Sequence, residues 1–493
     1  MTRNCSLRGL FSGVLAAFAC LLVEARGVLR AADITDARAS LEAKYAADLA
    51  ELANWSDQHQ LTAEAKLARA WSVKRDPRKL YIFDVPDALV APAKMADDPN
   101  LAEWWTRWVK LRRTQADALF DLAGKTLDDH RPALAYELIR QIVREFPDHE
   151  AARTILGYEK SGGRWVSAYA AHRLALGQVF DERFGWLPAK DVPRYERGER
   201  NYRGTWLSAA DDARLHSQIK SGWRIDTEHF VVTTDDGIEA GVRLARKLER
   251  LDEIWRQVFV TYYMTEGELT KRYHGVALPR HEAKQHQVVL FRNRDEYNAA
   301  LKPSQPMIGV TLGYYWFDSH TAYFFSGDEQ NDATIYHEAT HELFQENRTA
   351  VRDLGKKSNF WVVEAVACYM ESLTNHGGYW TLGGADEGRM PAALTRLLQD
   401  NFYVPLAEMT SYSRDAIQHD PRLPKLYSEA SGLANFLIHF RSGRYRQPLI
   451  DYLIAVYSGR AEPDTLAKLT GASYEQLDQQ YRDYMKEVAS GEN

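Results

Sequence analysis

His337, Glu338 and His341 stand in the order His-Glu-x-x-His within the stretch Asp332-Ala-Thr-Ile-Tyr-His-Glu-Ala-Thr-His-Glu-Leu-Phe344. Nothing between its ends breaks a helix, and Asp332 is expected to cap the start. On a helix, positions 337 and 341 lie one turn apart on one face, with their Cβ atoms roughly 6 Å apart. Two imidazoles so placed can reach one Zn2+, and Glu338 projects to the side where a water on that ion would sit. The ion lowers the pKa of the water, and the glutamate takes its proton as it attacks a carbonyl. Such a centre needs a third ligand. The apolar run Phe360-Trp-Val-Val-Glu364-Ala-Val-Ala-Cys-Tyr-Met-Glu371 offers Glu364. An acid inside such a run must be paired, metal-bound or facing a cleft.

The pair His337-Glu-x-x-His341 with the later Trp361-x-x-Glu364-x-x-Ala367-x-Tyr369 resembles the peptidase MA-like branch of the gluzincin metallopeptidases. The resemblance runs from about residue 227 to the C-terminus. It implies zinc held by the two histidines and by a glutamate of the next helix, in a zincin-like domain whose mixed sheet has an edge strand lining the substrate cleft. It also implies a later helix, and Pro424-Lys-Leu-Tyr427 opens a segment similar to it. Tyr427 is then a candidate donor to the oxyanion of a tetrahedral intermediate, or else a tyrosine packed at a helix start. The chain departs from the pattern in two places. The gap from His341 to Glu364 exceeds the roughly 18–20 residues of familiar gluzincins, so residues 345–359 must make an excursion. Some gluzincins carry a carboxylate one turn after the glutamate ligand to orient a histidine. Cys368 occupies that position here, which leaves Glu371 as the candidate partner. The metzincin pattern fails, because it needs Gly at 344 and His at 347 where the chain has Phe344 and Asn347.

The elements that must position these residues can be read in order. Residues 229–233 (His-Phe-Val-Val-Thr) form a strand, and Leu244, Leu248, Leu251, Trp255 and Val258 mark one face of a long helix. Residues 288–291 form a second strand. Residues 311–317 and 321–325 form a hairpin around Asp318-Ser319-His320, with His320 a turn residue and not a ligand. Leu477, Tyr481 and Tyr484 lie on a closing helix. Cys368 reads as a small buried hydrophobe.

Upstream, residues 33–157 have a helical pattern, with Leu41, Tyr45, Leu49 and Leu52, then Trp105, Trp108 and Leu111, at helical spacing. Residues 119–147 resemble one degenerate tetratricopeptide unit, or equally a helical hairpin with a proline stop. Either is a packing or protein-binding module. Gly163-Arg-Trp165-Val-Ser-Ala168 returns as Gly204-Thr-Trp206-Leu-Ser-Ala209, a glycine turn followed by a tryptophan anchor. These copies place a connector at 158–225.

Arg3 and Arg8 precede an apolar run at residues 10–23, the pattern of a secretory signal within residues 1–32. The run is short for a membrane span, and Cys20 sits in a poor lipidation context. The mature chain is expected to be exported, to the periplasm or outside the cell, without stable membrane insertion. Cys5 and Cys20 lie in the signal, so Cys368 has no partner for a disulfide. A composition of 45% hydrophobic and 26% charged residues suits a globular chain, and a net charge of -6 argues against nucleic acid as partner.

The expected fold class is therefore α+β, predominantly α, with a catalytic domain at 226–490. The expected function is zinc-dependent hydrolysis of peptide bonds in exported proteins, with protein or peptide as substrate. The alternative is a non-catalytic, zinc-containing binding or scaffold protein of the cell envelope, although such a site has no use for Glu338. Hydrolysis of a non-peptide amide, as in cell-wall material, fits the same residues.

Overall fold

The computed structural model describes residues 34–93, 95–279 and 284–491. The expected signal segment, with Cys5 and Cys20, lies outside them. The fold is mixed α+β and predominantly helical, with 57% helix against 13% strand. The described residues divide into two compact units, one within 34–74 and 85–152 and the other within 75–84 and 153–491.

The first unit is built from helices spanning 34–58, Thr62–Trp71, Pro99–Asp128 and Pro132–Glu145. Asp98 caps the third of these by accepting from the N–H groups of Asn100 and Leu101, and Pro99 occupies its first turn. Leu49, Leu52, Trp104 and Trp108 form its core. Buried Glu145 is satisfied by Tyr45 Oη at 2.6 Å and by Trp71 Nε1 at 2.8 Å. The segment 119–147 thus spans the end of a 30-residue helix and the whole of its successor, a helical hairpin.

The expectation of continuous helix over 33–157 fails at Lys79–Phe83. These residues form a strand paired antiparallel with Tyr379–Gly383. The sequence Lys-Leu-Tyr-Ile-Phe is rich in strand formers, and its partner lies about 300 residues away, out of reach of any local pattern.

Between residues 158 and 215 the chain makes three successive hairpin-and-helix repeats. Their strands are Tyr158–Ser161 with Arg164–Ser167, Gln178–Asp181 with Gly185–Pro188, and Glu199–Tyr202 with Thr205–Ser208. The middle copy carries Trp186 where the others carry Trp165 and Trp206, and it was hidden in the sequence because Phe184 replaces the leading glycine and Pro188 replaces the serine that caps the helix in the outer two. The N–H groups of Ala189 and Ala209 donate to the carbonyls of Gly177 and Gly198, which extends the ladder of each of these two hairpins by one residue.

The sheet that positions the site has five strands, in the order Tyr314–Trp316, Thr321–Phe325, His286–Phe291, Phe230–Thr234 and Trp223–Asp226. The three central strands run parallel, and both edge strands are antiparallel to their neighbours. Helix Ile238–Val258 buries Leu244, Leu248, Leu251, Trp255 and Val258, the face expected from their spacing. The edge strand is shorter than the expected 311–317, because 3-10 turns at Ile308–Val310 and Phe317–Ser319 bracket it. His320 closes the hairpin with φ +50.

Candidate metal centre

Helix Asp332–Glu346 carries the His-Glu-x-x-His residues. Its cap is Asn331, not Asp332. Asn331 is extended (φ -137, ψ 159) and its side chain accepts from the N–H of Thr334, whereas Asp332 already lies in the first turn. Ala339, Thr340, Leu343 and Phe344 are buried, and Phe344 packs edge-on against Trp255, Phe259 and Tyr262. This aromatic cluster fixes the rotation of the helix, so that His337, Glu338 and His341 fall on a partly accessible face.

Helix Trp361–Met370 is entirely buried. It packs against the ligand helix and against helix Leu423–Gly443. The segment between the two ligand helices is the excursion expected from the long gap, and it is pinned along its length. The Val351 N–H donates to Tyr457 O, the Asn359 N–H to Thr410 O, and Tyr452 Oη to Asn359 Oδ1 at 2.6 Å. Tyr452 also accepts from Trp361 Nε1, which anchors the start of the second helix.

These supports bring three ligand atoms together. His337 Nε2 lies 3.1 Å from His341 Nε2. Glu364 Oε2 lies 3.4 Å from His337 Nε2 and 3.7 Å from His341 Nε2. Zinc bonds of 2.0–2.1 Å in a tetrahedron place ligand atoms roughly 3.3 Å apart, so the donor set and its spacing fit the ion. The chemistry fits as well, since two imidazole nitrogens and a carboxylate oxygen are its ordinary ligands.

The opposite edge of His337 is also engaged. Its Nδ1 donates to Glu371 Oε1 at 2.8 Å, a tautomer that leaves the Nε2 lone pair facing His341 and Glu364. Arg389 holds Glu371 through two further 2.8 Å bonds, Nε to Oε2 and Nη2 to Oε1. Burial disfavours the Glu371 carboxylate, but His337 and Arg389 outweigh it and hold its pKa below the usual carboxylate range. Cys368 is fully buried, lies against His337, and has its pKa raised by burial. Together His337, Cys368 and Glu371 form a second group of ligand-type atoms within 4.8 Å.

Glu338 accepts from the N–H of Tyr315 on the edge strand at 2.9 Å. Burial, opposed by His337 and by that N–H, pushes its carboxyl up to about 7. The same helix grips Tyr315 a second time, because the phenol donates to Glu346 Oε1 at 2.8 Å. His320 Nδ1 and Lys284 Nζ meet Glu346 as well, so His320 belongs to the hairpin anchor and not to the ligand set. Tyr427 comes from helix Leu423–Gly443, and its phenol lies beside Glu364. Burial, with Glu364 beside it, raises its phenol far above the ordinary value.

All five residues singled out in the sequence therefore meet in one place. Arg389 was missed. It follows Gly383-Gly384-Ala-Asp-Glu-Gly388, a loop without periodicity, and only the fold shows what it reaches. A search of protein-family models and of curated proteins found no match to this chain.

Proposed function

We propose that the chain is a zinc-dependent peptide-bond hydrolase of the gluzincin type, built on a zincin-like arrangement of sheet, ligand helix and glutamate helix. The convergence of His337, His341 and Glu364 at ligand spacing, with Glu338 beside them, carries this reading. When bound, zinc would lower the pKa of a water and polarise a carbonyl. His337 and His341 would hold the ion through neutral nitrogens, and Glu364 would supply the one anionic oxygen. Glu338, with its proton affinity near neutrality, is matched to taking a proton from the attacking water and returning it to the leaving amine. Tyr427 stays protonated across the working range, as a donor to a developing oxyanion must. The edge strand Tyr314–Trp316, separated from the ligand helix in sequence by the strand Thr321–Phe325, is tied to Glu338 through the Tyr315 N–H and so runs beside the catalytic groups, where an extended peptide substrate can lie. We place this activity outside the cytoplasm, on the signal pattern at residues 1–32.

The test is metal analysis of the purified mature chain, together with hydrolysis of an unfolded protein by wild type and by Glu338→Gln. About one zinc per chain in both proteins is expected, with activity in the wild type alone. Equal activity in both would remove Glu338 from its role. Absence of zinc from the wild type would sink the reading altogether.

A further inference from the structure

Metal-ligating imidazoles work best when their second nitrogen is held, because this fixes the tautomer and the ring direction. In this chain the holder of His337 stands seven residues after Glu364, at the very end of helix Trp361–Met370, where a side chain has less support than inside a helix. Glu371 nevertheless has one defined position. Its Oε1 accepts from both His337 Nδ1 and Arg389 Nη2, and its Oε2 accepts from Arg389 Nε, so two of these three bonds come from the guanidinium.

The backbone is shaped to deliver that guanidinium. Gly388, the residue before Arg389, sits against Ser372, the residue after Glu371. A Cβ at 388 would lie 3.0 Å from Ser372 Cβ and 3.2 Å from both its Cα and its N. Its φ of +56 also lies in the left-handed region, which favours glycine. The two chain segments touch at 372 and 388, and one residue away on each the charged groups meet. Arg389 then starts helix Met390–Leu398, its carbonyl accepting from the Ala393 N–H, so its own backbone is held too. Nearby, Lys79 Nζ pairs with Asp386 at 2.8 Å and Thr374 Oγ1 donates to Glu387 at 3.1 Å, which ties the loop down before it reaches Gly388. The guanidinium also lies over the ring of Tyr427, 5.7 Å from its centroid.

We infer that Arg389 is a positioning residue of the metal centre: it locks Glu371, and Glu371 aims the His337 ring so that Nε2 faces His341 and Glu364. The inference rests on the zinc reading above and extends it to a residue that touches neither metal nor substrate. A fork of two parallel bonds is what distinguishes this role from mere charge balance. Lysine would keep the charge but present no fork.

The test is zinc affinity, measured by competition with a chromophoric chelator on the full mature chain, with folding followed by circular dichroism. Loss of a partner one step removed from the metal commonly costs about 10–100-fold in affinity. Arg389→Gln is expected to fall in that range, with Arg389→Lys between it and wild type. In a Glu371→Ala background, Arg389→Gln should add little, because the residue through which it acts is gone. Gly388→Ala deletes no polar group, and it should weaken zinc binding by displacing Arg389. Wild-type affinity in a folded Arg389→Gln variant would overturn the inference. So would an equal loss with and without Glu371, which would mean that Arg389 acts by another route. Should Arg389→Gln fail to fold, Arg389→Lys carries the decision, and wild-type affinity there overturns the inference as well. A wild-type chain that takes up no zinc overturns the metal reading, and with it this role for Arg389. A zinc-binding wild type without peptidase activity leaves the positioning role standing.

Discussion

Two clusters of histidines and carboxylates flank the ligand helix, and they behave in opposite ways. On one side His337, His341 and Glu364 turn acceptor atoms toward one another at 3.1–3.7 Å. On the other, His229 Nδ1 pairs with Glu249 at 2.8 Å and approaches Asp252 at 3.5 Å, while Asp252 is itself held by Arg256 at 2.6 Å. His286 Nδ1 stands 4.0 Å from Glu342, the residue after His341. The residue types are the same, yet among the described residues only the first side gathers three ligand atoms within 4.8 Å. In the second, His229 and Arg256 pair with Glu249 and Asp252, while the buried Glu342 carboxyl and His286 Nδ1 make no hydrogen bond, and burial raises the Glu342 pKa well above its usual value. Asp252 and Glu249 overcome burial and raise His229 to about 9, whereas burial lowers His286 to about 4. The candidate metal site is thus set apart by three ligand-type atoms converging within reach of one ion, and not by the residue types alone.

The sharpest way to break this comparison is to remove histidines from each side. The double variant His337→Ala, His341→Ala should lose stoichiometric zinc, while His229→Gln should retain it; mass spectrometry of the intact folded chains would show either pattern. Next in size is Glu338→Gln, expected to keep zinc and the fold and to lose about 10²–10⁴-fold in hydrolysis. Tyr427→Phe should also keep zinc and lose about 10²–10³-fold in kcat if its phenol donates to the oxyanion. A loss confined to stability would make it a packing residue instead.

A smaller effect reads the second cluster directly. His229 has a raised pKa in the folded chain, so its ion pairs with Glu249 and Asp252 contribute stability that is fully present below about 6.5 and is lost as pH rises through about 9. Melting temperature should therefore fall over that alkaline window in wild type, and fall less in His229→Gln. Parallel curves would show that Glu228, Glu249, Asp252 and Arg256 do not respond to the charge on His229.

The candidate metal-site residues were legible because helical spacing is local: His337, Glu338 and His341 share a turn, and Glu364 announces itself as an acid in an apolar run. Tyr427 was reached only through resemblance. Arg389 left no trace, since its partner is set by where Gly388 meets Ser372, a contact made in three dimensions. The strands at 230–234, 286–291 and 321–325 were found to within a few residues by their β-branched and aromatic content. Lys79–Phe83 was not, because its strand character is realised only against Tyr379–Gly383. The middle tryptophan repeat was hidden by Phe184 in place of the leading glycine and by Pro188 in place of a capping serine.

The bond from the Tyr315 N–H to Glu338 also bears on how the molecule behaves in a crowd. An edge strand with free outward N–H groups is a template on which other chains aggregate. Here the edge strand is half-buried and only three residues long, and its middle N–H is already bonded to a carboxyl group of a nearby helix. A stray strand gains little by pairing there, and it would have to displace a charged acceptor to do so. The group proposed to do the chemistry therefore also guards the sheet against indiscriminate self-association.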